Sequence, residues 1–223
     1  MNLGYAKNSL LVVGSALAII GSAAWIYYRE FARPPIDVHL NQAVGLVMAE
    51  ETHQLVGHLG KVLIVTTKLR RAPELKVQIQ AFEKQLKTFG GITVKDQITL
   101  DPGDNPKYRP GSGLSAKRLL KIFRKNRNVD AIVSFVGAPT LTEAEIGQLK
   151  THPKFIAETH SPEKLVNLFV NDVLHSAIVP RYEFPAPGPR KPETARQWFD
   201  RYYQIVTPAT LSSLTNALSG NAP

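Results

Sequence analysis

The chain contains no cysteine. That absence excludes a thiolate nucleophile, a thiolate-ligated zinc or iron–sulfur centre, and any disulfide. It suits either side of a membrane and does not decide the compartment. No Gly-x-Gly-x-x-Gly follows the first predicted strand, and no Gly-x-x-x-x-Gly-Lys-Ser/Thr occurs. Both gaps argue against dinucleotide and P-loop nucleotide binding. A Gly-x-Ser-x-Gly elbow is also missing; Gly111-Ser112-Gly113 lacks the preceding strand and tight turn. Among the six histidines, His53 and His58 are not at zincin spacing, and His160 and His175 stand alone. Glu50-x-x-His53 has the spacing used in carboxylate di-metal bundles, but one such pair is far short of a site. The expectation is a protein that is not an enzyme and has neither metal nor cofactor.

What is present is 223 residues, enough for one domain and an anchor. Apolar residues make up 43% and charged residues 20%, a globular balance. Lys and Arg outnumber Asp and Glu by 27 to 18, a net charge of +9 that favours acidic partners.

Ser9 to Tyr28 (SLLVVGSALAIIGSAAWIYY) carries no charge. At 1.5 Å per residue such a segment spans about 30 Å, the thickness of the hydrocarbon core. Trp25, Tyr27 and Tyr28 at its far end, then Arg29 and Arg33, match an aromatic belt and basic flank. The segment reads as a single transmembrane helix. A cleaved signal peptide is the rival: Lys7, the apolar run Leu10 to Ile20, and Ser22-Ala23-Ala24 as cleavage site. Positive charges nearly balance across the helix, and the short leading tail places the folded domain outside the cytoplasm of a bacterial-type membrane. Gly14, Ala18 and Ser22 recur every four residues, a small-residue stripe suited to packing against another transmembrane subunit.

The chain divides into an anchor over 1–30, a connector with an amphipathic helix over 31–60, an α/β domain over 61–180, and a strap and terminal helix over 181–223. The amphipathic helix (Gln42 to Leu59) packs on the domain or lies on lipid. Strands are expected at Val62–Thr67, Ile92–Leu100 (nearer an edge), Val129–Val136, Lys154–Ala157 and Ser176–Val179. Helices are expected at Pro73–Phe89, Leu114–Arg127, Leu141–Lys150 and Pro162–Leu174. This alternation predicts one doubly wound, mostly parallel five-stranded sheet with flanking helices, a Rossmann-like α/β fold. Five prolines between Pro180 and Pro192 predict an extended strap. Ala195 to Leu218 is expected to be helical, with Trp198, Phe199, Tyr202 and Tyr203 partly covering the sheet.

Lys61-Val62-Leu63-Ile64-Val65, then a long helix ending in Phe89-Gly90-Gly91-Ile92-Thr93-Val94, then Asn128-Val129-Asp130-Ala131-Ile132-Val133-Ser134 form a familiar series. Together they resemble one lobe of the type 1 periplasmic binding proteins, the sugar-binding and LacI-like group, from Lys61 to Val179. That family binds ligand between two lobes, whereas this chain has residues for one. The resemblance therefore does not carry sugar transport with it.

In an open α/β sheet, ligands bind beyond the carboxyl ends of the strands. Thr66, Thr67, Asp101, Asp104, Lys107, Arg109, Gly137 and Thr140 fall there and are the candidate ligand residues. Asp101, Asp104 and Asn105 are oxygen ligands in type but miss the calcium-loop spacing. Lys107 and Arg109 suit an anion. Lys117, Lys121 and Arg124 share one face of a helix without acids, a docking surface for anionic lipid or an acidic protein; nucleic acid is not expected. The reading that follows is a non-enzymatic, membrane-anchored accessory or scaffold subunit of a larger membrane complex. The alternative is a membrane-tethered small-ligand-binding or sensor module.

Overall fold

A computed structural model describes residues 3–27, 36–69, 72–101, 114–149, 151–160, 165–181 and 192–212. Two compact units result, Met1–Ile36 and Asp37–Pro223.

The first unit is helix α1 (Leu3–Ile26). From Val13 onward its described side chains are exposed, including Val13, Leu17, Ile19, Ile20 and Trp25. Ser22 Oγ donates to the Ala18 carbonyl at 2.8 Å, so the polar atom on the small-residue stripe is satisfied within the helix. Among the described residues, no helix is long and apolar enough to cross a membrane. The transmembrane reading of Ser9 to Tyr28 is thus not met within the described residues.

The second unit is a six-stranded sheet, one strand more than the alternation predicted. Its order is β2 (Ile92–Leu100), β1 (Gly60–Thr67), β3 (Ala131–Ser134), β4 (Lys154–Glu158), β5 (Ser176–Pro180), β6 (Tyr203–Val206). The first five run parallel, and β6 pairs antiparallel with β5. The extra strand corrects the terminal-helix expectation. Helix α7 (Ala195–Tyr202) is short, and Tyr203-Gln204-Ile205-Val206 leaves it to cover the edge of β5. Aromatic and β-branched residues suit a pleated surface, and an uncovered edge would leave backbone groups unpaired.

Helices α2 (Val38–Val56) and α3 (Pro73–Phe89) precede and follow β1; α4 (Ala116–Lys125), α5 (Glu143–Ile146) and α6 (Leu165–Val170) join the later strands. Right-handed crossovers explain their distribution. Stepping from β1 to β2 goes one way along the sheet, and every later parallel step goes the other way. Helix α3 is therefore alone on its face until α2 and α7 join it, packing Val44, Val47, Met48, Phe82 and Phe199 on Val62, Ile64 and Val133. Helices α4 to α6 cover the opposite face through Leu119, Phe123, Leu165 and Phe169 on Leu63, Ile132 and Phe155. The amphipathic helix α2 thus packs on the domain.

Two local features set the register. Strand β2 carries a bulge against β1 between Val62 and Leu63, whose partners are Val94 and Asp96. The extra residue flips the side chains: Ile92 and Val94 face α2 and α3, while Ile98 and Leu100 face α4. At Gly45 on α2, an added Cβ would clash with the Gln78 carbonyl and lie 2.9 Å from Ala81 Cβ. Only glycine lets α2 and α3 approach this closely. Helix α5 is a single turn rather than the expected ten residues. Its Thr142–Glu145 capping box starts it, and Gly147 follows. Helix α6 stops at Val170, with Asp172 at φ 54 reversing the chain.

Candidate functional site

The strand order reverses between β1 and β3. Their following connections lead to opposite faces of the sheet, to α3 and to α5, the kind of position where open α/β sheets take ligands. Thr66, the last fully buried residue of β1, faces the α2–α3 side. Thr67 is half-buried, and its hydroxyl donates to the Leu100 carbonyl at 3.4 Å. Asp101, just past β2, is exposed and pairs with Lys68 Nζ at 3.0 Å, and its carbonyl accepts from Arg118 at 3.0 Å. Gly137, past β3, has φ 90, and its carbonyl accepts from Ser134 Oγ at 2.6 Å. That positive φ turns the chain across the strand end, a conformation open to glycine. Thr140 is exposed on the same loop. All five follow the carboxyl ends of β1, β2 and β3; Thr67, Asp101 and Thr140 reach the surface at this rim of the sheet, whereas Thr66 and Gly137 are buried. Asp104, Lys107 and Arg109 lie outside the described residues.

Other candidates lie elsewhere. Lys117, Lys121 and Arg124 are exposed on α4, with Leu119, Leu120 and Phe123 turned inward. Arg124 Nε donates to its own helix at the Leu120 carbonyl, 3.3 Å away. Gly14, Ala18 and Ser22 sit on α1. Glu50 and His53 diverge: Glu50 meets Arg196 at 3.4 Å, whereas the His53 ring packs on Phe89 at 4.5 Å.

Behind the rim is a polar group that the sequence reading missed. Glu158 ends β4 with 6% exposure and points toward α2 and α3. Its Oε1 accepts from Gln78 Nε2 at 3.3 Å, and the same nitrogen donates to Asn41 Oδ1 at 3.0 Å. Burial pushes the Glu158 carboxyl up to about 7, the Gln78 bond works against that, and the Glu74 carboxylate adds to it. The Tyr203 hydroxyl is raised by burial and then by Glu158. A second buried polar pair ties α2 to the amino end of β5, where Ser176 Oγ donates to Glu51 Oε2 at 2.7 Å. At that same end, burial and Lys154 push His175 down to about 4. His175 Nδ1 accepts from the Phe155 amide at 3.2 Å, so its ring is a neutral backbone clasp. The sequence did hold a signal for Glu158 and Gln78. An acid directly follows the apolar run Phe155-Ile156-Ala157, and a glutamine occupies the inner stripe of α3 beside Ile79 and Phe82.

No family model matches the chain, and no curated protein matches it. Solved structures do. The chain is similar to AraP, an arabinose-binding protein from Geobacillus stearothermophilus, at 11% identity and TM-score 0.51, covering 78% of this chain and 62% of that one. It is also similar to an ABC transporter solute-binding protein from Agrobacterium vitis bound with α-D-tagatopyranose. There the identity is 14% and the TM-score 0.51, with 80% of this chain and 60% of that one covered. The fold is similar to that of periplasmic sugar-binding proteins. The expected resemblance to a periplasmic binding protein lobe is thus found in three dimensions. At these identities it is a likeness of fold. The chain spans about three-fifths of the length of these two proteins.

Proposed function

We propose that this chain is a small-ligand-binding or sensor module, tethered to a membrane outside the cytoplasm, with its site on the rim at the carboxyl ends of β1, β2 and β3. The observation that supports the reading is the strand-order reversal between β1 and β3, beside which Thr67, Asp101 and Thr140 are accessible at the strand ends. The fold likeness to solute-binding proteins, rather than enzymes, supports it. Hydroxyls and a carboxylate suit an uncharged, hydroxyl-rich ligand of the sugar class. A second wall, from a partner or another copy, would complete the site.

The test is thermal denaturation of the full-length protein with D-arabinose, D-tagatose, other monosaccharides and inorganic anions. A ligand of the native state raises Tm by an amount that grows with the logarithm of its concentration. Failure of every sugar and anion at millimolar levels to move Tm, both for the isolated chain and for the assembly extracted in mild detergent, would rule the reading out.

A second reading rests on α1. The uncharged segment, its exposed apolar side chains and the Gly14, Ala18, Ser22 stripe support an anchor that packs in a membrane complex. The exposed cations of α4 would then dock on acidic lipid or protein. Extraction in mild detergent and native mass spectrometry test this: one stoichiometric assembly supports the accessory subunit, and a lone monomer removes it.

A further inference from the structure

The Glu158–Gln78 pair has a fixed orientation, set by a chain of donors. Asn41 Nδ2 donates to the Asp37 carbonyl at 2.8 Å, which leaves Asn41 Oδ1 to accept from Gln78 Nε2 at 3.0 Å. The other hydrogen of Gln78 Nε2 goes to Glu158 Oε1 at 3.3 Å. Both amide hydrogens are used, and flipping the amide would set its oxygen against two acceptors. Gln78 Oε1 and Glu158 Oε2 are left over. Among the described residues, they are the buried side-chain polar atoms without a hydrogen-bond partner. Both are acceptors, so what they need is a donor. Neither presents solvent-accessible surface, so a water, which needs about one probe sphere of room, does not fit against them. A proton needs no room.

We infer that Glu158 is a protonated acid in the folded protein, its Oε2–H donating to Gln78 Oε1. Acid and amide then close a two-bond ring joining β4 to α3 and, through Asn41, to α2. The groups facing the carboxyl agree with this. Glu74 on α3 is a like charge, Tyr203 on β6 is a neutral phenol, and His160 Nε2 stands 3.9 Å from Oε1 with its ring 63% exposed. Among the described residues, neither lysine nor arginine pairs with Glu158. Burial already holds the carboxyl up to about 7. Ionisation sets a carboxylate against the Gln78 oxygen and opens the ring directly behind the rim. The ring is thus a proton-controlled latch on this end of the sheet, whether or not the rim takes a ligand.

The experiment is Glu158→Gln in the full-length protein, with Tm measured from pH 4 to 9 beside the wild type. A glutamine supplies an N–H where the acid supplies its O–H, so the variant keeps the ring with no proton to lose. The folded state holds the proton more tightly than the unfolded chain, so the wild-type latch is at full strength below pH 4.5 and is lost as pH rises to about 7. Wild-type Tm should therefore fall relative to the variant across that window and hold a constant gap above it. His160→Asn should leave the effect in place, which separates it from imidazole titration. Infrared spectra of the wild type need no variant and should show a protonated carboxylic acid band at pH 6 that disappears by pH 8. A gap independent of pH, or no such band at pH 6, overturns the inference.

Discussion

The two faces of the sheet are built from the same kinds of element and hold different interiors. Beneath α4, α5 and α6 the helices meet the strands through apolar side chains, centred on Phe123 and Phe155 in edge-to-face contact at 5.5 Å, and the buried Ser134 hydroxyl bonds only within its own loop, donating to the Gly137 carbonyl. Beneath α2, α3 and α7 there is a matching aromatic pair, Phe82 and Phe135, also at 5.5 Å, but here Glu51, Thr52, Gln78, Glu158 and Ser176 are buried too. Apolar packing is non-directional, so the α4–α6 face supplies adhesion without specifying a unique position. Buried polar groups must meet their partners, so the other face adds alignment at both ends of α2: Asn41–Gln78–Glu158 at one and Glu51–Ser176 at the other. Gly45, where α2 touches α3, completes that alignment.

The largest expected effects should be equal on the two faces. Phe155→Ala and Phe82→Ala each remove a fully buried ring and should each cost about 3–5 kcal/mol in urea denaturation. A cost for Phe82 well below that for Phe155 would mean that the polar face is loosely packed. Next comes the acid. The rise of the Glu158 carboxyl from 4.5 to about 7 corresponds to roughly 3 kcal/mol of stability present at low pH and lost by about pH 7. Glu158→Gln should recover most of that at pH 8, and chemical denaturation at pH 4 and pH 8 reads it directly. Ser176→Ala should cost about 1–3 kcal/mol, because it leaves the buried Glu51 carboxylate without its donor. A neutral result would show that this pair does not help to align α2. The smallest effect belongs to the outside of the apolar face. Charge reversal at Lys117, Lys121 and Arg124 should change stability by less than about 0.5 kcal/mol, since all three are exposed. A larger loss would show that these cations hold the domain together.

Legibility from sequence followed the range of the forces involved. Helix α3 was readable end to end, because Pro73 starts it and Gly90 stops it. Strand β2 was readable as an edge because its residues alternate. Helix α5 was read too long, since an apolar–polar pattern does not reveal that one capping box and Gly147 confine it to a turn. Strand β6 was read as helix because its four residues continue the α7 spacing, and only the open edge of β5 favours the extended form. The positions of Thr66, Thr67, Asp101, Gly137 and Thr140 after the strands followed from the strand ends alone. Gln78 and Glu158 lie eighty residues apart, and nothing local pairs them.

By itself, then, the sequence determined the α/β alternation, the resemblance to a binding-protein lobe, the uncharged N-terminal segment and the basic face of α4, all set by periodicity and composition over short spans. Tertiary structure decided the sixth strand, the placement of α2 on the sheet, the inversion of β2 at its bulge, and the meeting of Glu158 with Gln78. Those depend on which edge is left unpaired, which face is left uncovered and which buried acceptor lacks a donor, and each is a property of the assembled sheet.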